Sequence, residues 1–170
     1  MKKIVLACVV LLSGCFAIEV GKVPSSVTLS GKSGGKFNGE AWNSATLKGK
    51  VHIVFYVDPD KRKINENLSK ALKKRHFDRK NYGPVAIINL AATWMPDAVL
   101  EMKIKSKQKE FPDTVYVKDK DKTLVKKWKL ADDNSDILLF DKKGKLIYKK
   151  FGKLSDADIT KLMALIEKNL

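Results

Sequence analysis

Val51-His52-Ile53-Val54-Phe55-Tyr56-Val57, followed at once by Asp58-Pro59-Asp60, is the stretch on which the fold turns. It is β-branched, aromatic and nearly all apolar, and such a continuous run suits a central strand buried on both faces. Proline bars a central strand from continuing, so the strand ends at Asp58. Asp60 is then placed to cap a helix over Lys61 to Arg75, whose Ile64, Leu68, Ala71 and Leu72 share one apolar face. Val85 to Leu90 repeats the buried-strand pattern. Pro96-Asp97 opens a second helix that runs to about Glu110 and stops before Phe111-Pro112.

Further along, Thr114 to Val117 and Leu124 to Trp128 read as short extended segments around Asp119-Lys120-Asp121-Lys122. Ile137 to Phe140 and Leu146 to Tyr148 form a hairpin, with Asp141-Lys142-Lys143-Gly144 as its turn and Gly144 suited to a left-handed backbone. Ser155-Asp156-Ala157-Asp158 caps a last helix whose Ile159, Leu162, Met163 and Ile166 make another apolar face. Upstream, Val27 to Leu29 reads as a short strand, Gly31 to Gly39 as a loop or hairpin, and Ala41-Trp42-Asn43-Ser44 as the entry to a turn with Leu47 packing back. An α/β fold, a central mixed sheet with helices on both faces, is the economical way to bury these elements.

The N-terminus carries an address. Lys2 and Lys3 precede an unbroken apolar or small run, Ile4 to Leu12, and small residues follow at Ser13-Gly14-Cys15-Phe16-Ala17. That is the layout of a secretory signal peptide over residues 1–17, with the run too short for the ~20 residues of a membrane-spanning helix. Two cuts are readable. Leu12-Ser13-Gly14-Cys15 resembles a lipobox, which would leave a lipidated Cys15 in the envelope; a cut after Ala17 would release a periplasmic domain over 18–170. Both cysteines, Cys8 and Cys15, lie in this region, so the exported form has no free thiol for nucleophilic, disulfide or metal chemistry. The net charge of +15 falls to +13 with the loss of Lys2 and Lys3. The remaining lysines are spread along the chain, as on a solvated surface or one that meets an anionic envelope surface or protein partner. Nucleic acid is not expected as a partner of an exported chain, and a lipidated Cys15 would be its only membrane anchor.

Several motifs together carry a resemblance. Gly21-Lys22-Val23-Pro24, the step Leu47-Lys48-Gly49-Lys50-Val51 and the run Ile137 to Leu146 followed by Gly152 and a last helix resemble the thioredoxin-like peroxiredoxins and envelope reductases. Trp42-Asn43-Ser44, Asn89, Trp128-Lys129-Leu130 and Asp141-x-x-Gly144 resemble more closely the YtfJ family of exported bacterial proteins. The resemblance implies a thioredoxin-like fold and a periplasmic address; it implies no activity, cofactor or catalytic residue. The chain also departs from working thioredoxins. Where the strand of those enzymes leads into Cys-x-x-Cys, this chain reads Asp58-Pro59-Asp60-Lys61-Arg62-Lys63, and the loop that carries their facing proline reads Asp133-Asn134-Ser135-Asp136. Disulfide exchange needs an attacking thiolate, so that activity is excluded.

In such a fold, Asp58, Asp60, Asp132, Asp133 and Asp136 meet at the sheet end where ligands usually bind, as an acidic pole able to take a hard cation such as Ca²⁺ or a basic partner segment. The plainer reading is that Asp60 caps a helix and the others decorate a loop. His52, in a strand, and His76, after a helix, have no metal-ligand spacing. A Ser-His-Asp set drawn from Ser44 or Ser135 lacks a nucleophile elbow. Trp42, Trp94 and Trp128 read as core or loop anchors, with a groove lined by Trp42 and Trp94 as the alternative. The expected function is a binding, scaffold or chaperone-like module without redox chemistry. The alternatives are an envelope enzyme using the acidic pole, or a basic nucleic-acid binder if the chain is not exported.

Overall fold

The computed structural model describes residues 17–170. The segment 1–17 expected to be a signal peptide, with Cys8 and Cys15, lies outside the described residues apart from Ala17. Eight strands and four α-helices follow in order: β1 (Thr28–Leu29), β2 (Gly34–Lys36), β3 (Trp42–Asn43), β4 (Val51–Val57), α1 (Glu66–Arg75), β5 (Tyr82–Asn89), α2 (Asp97–Glu110), β6 (Val115–Asp119), α3 (Thr123–Trp128), β7 (Ser135–Phe140), β8 (Leu146–Phe151) and α4 (Asp156–Asn169). Strands β1 and β3 form a small ribbon; the other six form one sheet in the order β2-β6-β5-β4-β7-β8. β4, β5 and β6 are parallel, and β2, β7 and β8 run against their neighbours. The sheet is therefore mixed, with β4 in its interior.

Strand alternation sorts the core into two faces. Val54 and Tyr56 of β4, Val85 and Ile87 of β5, Val117 of β6 and Leu138 and Phe140 of β7 pack with Trp42, Leu47, Leu124 and Trp128. Val51 and Ile53, with Ile137 and Leu139, pack on the opposite face with Leu68 of α1 and Leu162 and Ile166 of α4. Complete burial of each such aliphatic side chain is worth about 1.5–3 kcal/mol, so the twofold period of β4 and β7 fixes their register. His52 is accommodated because its partner across the strands is Gly83, where an added Cβ would come within 2.9 Å of the imidazole. Gly144 takes its expected left-handed turn at φ +75°.

Four local expectations differ. Leu124 to Trp128 is helical, not extended: Leu124 and Trp128 are buried one turn apart, and the Asp119 carboxylate accepts the N–H groups of Thr123 and Leu124 at the helix start. Gly31 to Gly39 holds a strand, β2, pressed so close to β6 that a Cβ on Gly34 would lie 1.9 Å from the Lys118 carbonyl oxygen. The first helix starts at Glu66 rather than Lys61, so Asp60 caps nothing there. Pro59–Lys61 is a single 3₁₀ turn. Buried Asn65 then donates to the Ser135 carbonyl and hydroxyl and the Gly152 carbonyl, and accepts from Leu154 N–H, which holds the chain at φ −115° before the helix begins. The fourth is Trp94, which is 91% exposed and anchors no core.

Candidate functional site

The carboxyl ends of the three parallel strands carry one polar row. Asn89 is level with Asp119, and Val57 is level with Ile88, so Asp58 continues the row one residue beyond β4. Each of the three follows its strand's inward alternation, after Tyr56, Ile87 and Val117, onto the face that holds Trp42 and Trp128. Asp136 joins from β7, opposite Tyr56. All four residues, Asp58, Asn89, Asp119 and Asp136, have no exposed surface.

Their hydrogen bonding is unequal. Asp119 is saturated, accepting from the Tyr56 hydroxyl (3.2 Å) and from the N–H groups of Thr123 (2.9 Å), Leu124 (3.0 Å) and Asp121 (3.3 Å). Asp136 accepts from Ala131 N–H through Oδ2 at 2.8 Å, but its Oδ1 has no partner. Neither carboxyl oxygen of Asp58 has a partner, since the Asn89 NH₂ donates to Asp132 at 3.1 Å; Asn89 Oδ1 has no donor either. Desolvation of an unpaired carboxylate disfavours its charged form. Burial accordingly pushes Asp58 up to about 6. Burial, with the charge of Asp58 added, pushes Asp136 up to about 7. Both carboxyls are buried on the same face of the sheet, and Asp136 feels the charge of Asp58.

The other three carboxylates of the expected acidic pole do not join this pair. Asp132 is ion-paired to Lys122 at 2.6 Å, and that contact holds its carboxyl below the usual range. Asp133, at φ +54°, is exposed and lies 3.7 Å from Lys61. Asp60 is exposed and accepts from the Thr93 hydroxyl at 3.2 Å. Among the described residues no group of three or more His, Cys, Asp or Glu is spaced to hold a metal ion. Lys61 and Lys122 engage Asp133 and Asp132 at the rim, while Asp58 and Asp136 have no exposed surface.

The remaining candidates separate. His52 lies against Gly83, with Nδ1 3.1 Å from the Lys50 carbonyl oxygen, and burial lowers its pKa. His76 ends α1 in a left-handed conformation. Ser44 Oγ accepts from Val27 N–H and Ser135 Oγ from Asn65, and neither hydroxyl meets a histidine. Trp42 and Trp128 are buried, and the Trp128 indole donates to the Ser25 carbonyl, so no groove forms between Trp42 and Trp94. Asp119 and Asn89, the latter marked in the sequence only as part of a family resemblance, are site residues outside the expected acidic pole. Their signal was a polar side chain two residues beyond a buried apolar one, at an inward position of a strand.

Comparison with known proteins agrees with this geometry. Solved structures with the same architecture include a putative protein disulfide isomerase from Bacteroides thetaiotaomicron (TM-score 0.63, 16% identity, covering 90% of this chain and 91% of that one). A putative thioredoxin from Neisseria meningitidis matches with TM-score 0.61 and 16% identity over 87% of this chain and 91% of that one. The fold is thioredoxin-like. An uncharacterized protein of Haemophilus influenzae is 33% identical over 134 residues, 75% of this chain and 71% of the relative. The uncharacterized protein YtfJ of Escherichia coli is 24% identical over 143 residues, 79% of this chain and 75% of the relative. A family model described as a bacterial protein of unknown function (YtfJ_HI0045) matches residues 23–169. That match spans most of the chain, and with the 33% identical relative it shows that this chain belongs to the YtfJ family.

Proposed function

We propose that this protein is a binding module of the bacterial envelope that uses the thioredoxin-like fold without thiol chemistry. One observation carries the reading: β4 runs into Asp58, a buried carboxyl with no hydrogen-bond partner, at the point where the resemblance places a dithiol. Both cysteines of the chain precede Ala17. Export fits the packing of Ile18, which a cut after Ala17 would make the first residue. Its side chain is buried in the core, and its N–H donates to the Trp128 carbonyl at 3.1 Å. An enzyme reading has less support, because a substrate would have to reach Asp58 and Asp136 through a sealed face.

Two measurements test the proposal. The intact mass of the protein isolated from its host should correspond to a start at Ile18 or at a lipidated Cys15; a mass retaining Met1 overturns the export reading. In an insulin-reduction assay, the processed protein should add nothing to the rate with dithiothreitol alone. A protein-dependent rate overturns the redox-inactive reading.

A further inference from the structure

The sheet face opposite the polar row is not closed. Between α1 and α2, over β4, β5 and β6, lies a cavity of about 490 Å³, within the roughly 300–1,000 Å³ of small-molecule sites. Its floor is Phe55 and Val57 of β4 and Pro84, Ala86 and Ile88 of β5, all only half-buried although they belong to the middle of the sheet. Leu72 of α1 and Phe111, after α2, form the walls. Tyr82, whose buried hydroxyl has no hydrogen-bond partner, belongs to the same lining. Apolar surface on interior strands left uncovered in a water-soluble fold marks a place where something apolar docks.

The rim says what kind. Lys73 and Lys107 stand on the ring of Phe111, each ammonium 5.2 Å from its centroid. Lys107 is committed to Glu110 at 2.7 Å and Glu66 at 3.7 Å, and Arg79 to Asp113 at 2.9 Å. Glu66 and Glu110 thus share one ammonium, and Asp113 has a guanidinium of its own. Among the described residues neither Lys73 nor Arg62, which also lines the groove, has a carboxylate within ion-pair distance. Four cations against three acids leave the lining one net positive charge, and Lys73, beside Phe111, is the ammonium placed to meet an anionic head group. The floor also argues against an added strand: β5 is paired on both sides and offers no free backbone edge. A flexible acyl chain needs none.

We infer that this groove binds a single-chain anionic amphiphile, a free long-chain carboxylate, with its chain laid on Phe55, Ala86 and Ile88 and its head at Lys73. The inference deepens the binding reading above and rests on it. Burial of each methylene contributes about fourfold in affinity, so affinity should rise with chain length until the groove is full.

The test uses the processed protein with 11-(dansylamino)undecanoic acid as fluorescent probe, and palmitate or hexadecanol as competitor below their aggregation limits. Saturable probe binding, with displacement by palmitate, is expected. Ala86→Phe fills the floor and should weaken both competitors by about tenfold or more; Leu72→Trp, on the helical wall, is the second filling variant should Ala86→Phe fail to fold. Lys73→Glu should weaken palmitate by about tenfold and leave hexadecanol within about twofold, the signature of a head-group contact. Absence of saturable binding overturns the inference, as does unchanged binding in a correctly folded filling variant. Equal loss of the acid and the alcohol in Lys73→Glu overturns the placement of the head. An apolar peptide that displaces the probe where palmitate cannot would make the groove a peptide site. None of these results alters the insulin assay, so failure here is distinct from failure of the redox-inactive reading.

Discussion

Replacing Asp136 by Asn should stabilise this protein above neutral pH and leave it unchanged in acid. The carboxyl of Asp136 rises from an ordinary 3.8 to about 7 in the fold because it is desolvated and lies near Asp58. At roughly 1.36 kcal/mol per pH unit, the gap corresponds to about 4 kcal/mol. The loop at Ala131 borders the site, and halving the figure for screening and relaxation leaves about 2 kcal/mol. The sign follows from proton binding. The folded state holds this proton more tightly than the unfolded chain, so the contribution is favourable below pH 4, is lost as pH rises from about 4 to about 7, and is level above. Asn has no proton to lose, keeps an acceptor for Ala131 N–H, and puts an NH₂ where Oδ1 had no partner. Thermal unfolding of the wild type and Asp136→Asn at pH 4.5, 6 and 8 and constant ionic strength measures the difference. For a chain of this size about 2 kcal/mol is roughly 4–8 °C. A gap that is the same at pH 4.5 and 8, or a variant less stable at pH 8, would refute the reasoning.

Asn65→Ala should destabilise by about 2–4 kcal/mol in urea unfolding at pH 7, because it strands the Leu154 N–H and the Gly152 carbonyl and leaves the Ser135 carbonyl only its bond from Gly152 N–H; a loss under about 0.5 kcal/mol would show that water replaces the amide. Asp119→Ala should have a loss of similar size, about 2–4 kcal/mol, since it removes the acceptor for Thr123, Leu124 and the Tyr56 hydroxyl together. Far-ultraviolet circular dichroism should show little change, because α3 is short. Gly83→Ala should lower stability by about 1–3 kcal/mol through its clash with His52, and His52→Ala in the same chain should recover part of that loss. Recovery absent from that double-mutant cycle would place the strain elsewhere.

The fold was legible where burial and pattern agree. Val51–Val57, the Asp141–Gly144 turn and the Ser155 cap each carry a local signal that tertiary structure does not overrule. The Thr123–Trp128 helix was not legible, because its start depends on the carboxylate of Asp119, which faces Thr123 and Leu124 only once β6 holds it buried at the strand end. Likewise, Asn65 looks like an ordinary polar residue in a helix until Ser135, Gly152 and Leu154 arrive beside it from 70 to 89 residues away. The acidic pole was legible as a set of residues but not as an arrangement. Spacing along the chain does not tell that Lys122 and Lys61 draw Asp132 and Asp133 outward while Asp58 and Asp136 stay under cover. The groove left no mark in the sequence, since its floor is made of the same apolar residues that a closed core would use.

The interior position of β4 also sets the order in which the molecule can be completed. Its two neighbours are β5, which follows soon after in the chain, and β7, which does not begin until Ser135. A chain that emerges amino-end first therefore presents one long edge of Val51–Val57 unpaired until most of its length is available. Long-range pairing of this kind is slow, and an apolar edge left open is an invitation to aggregate. Polypeptides truncated between α3 and β7 should be insoluble even though they contain every strand of the parallel core, and a growing or translocating chain would need a holding factor through that same interval.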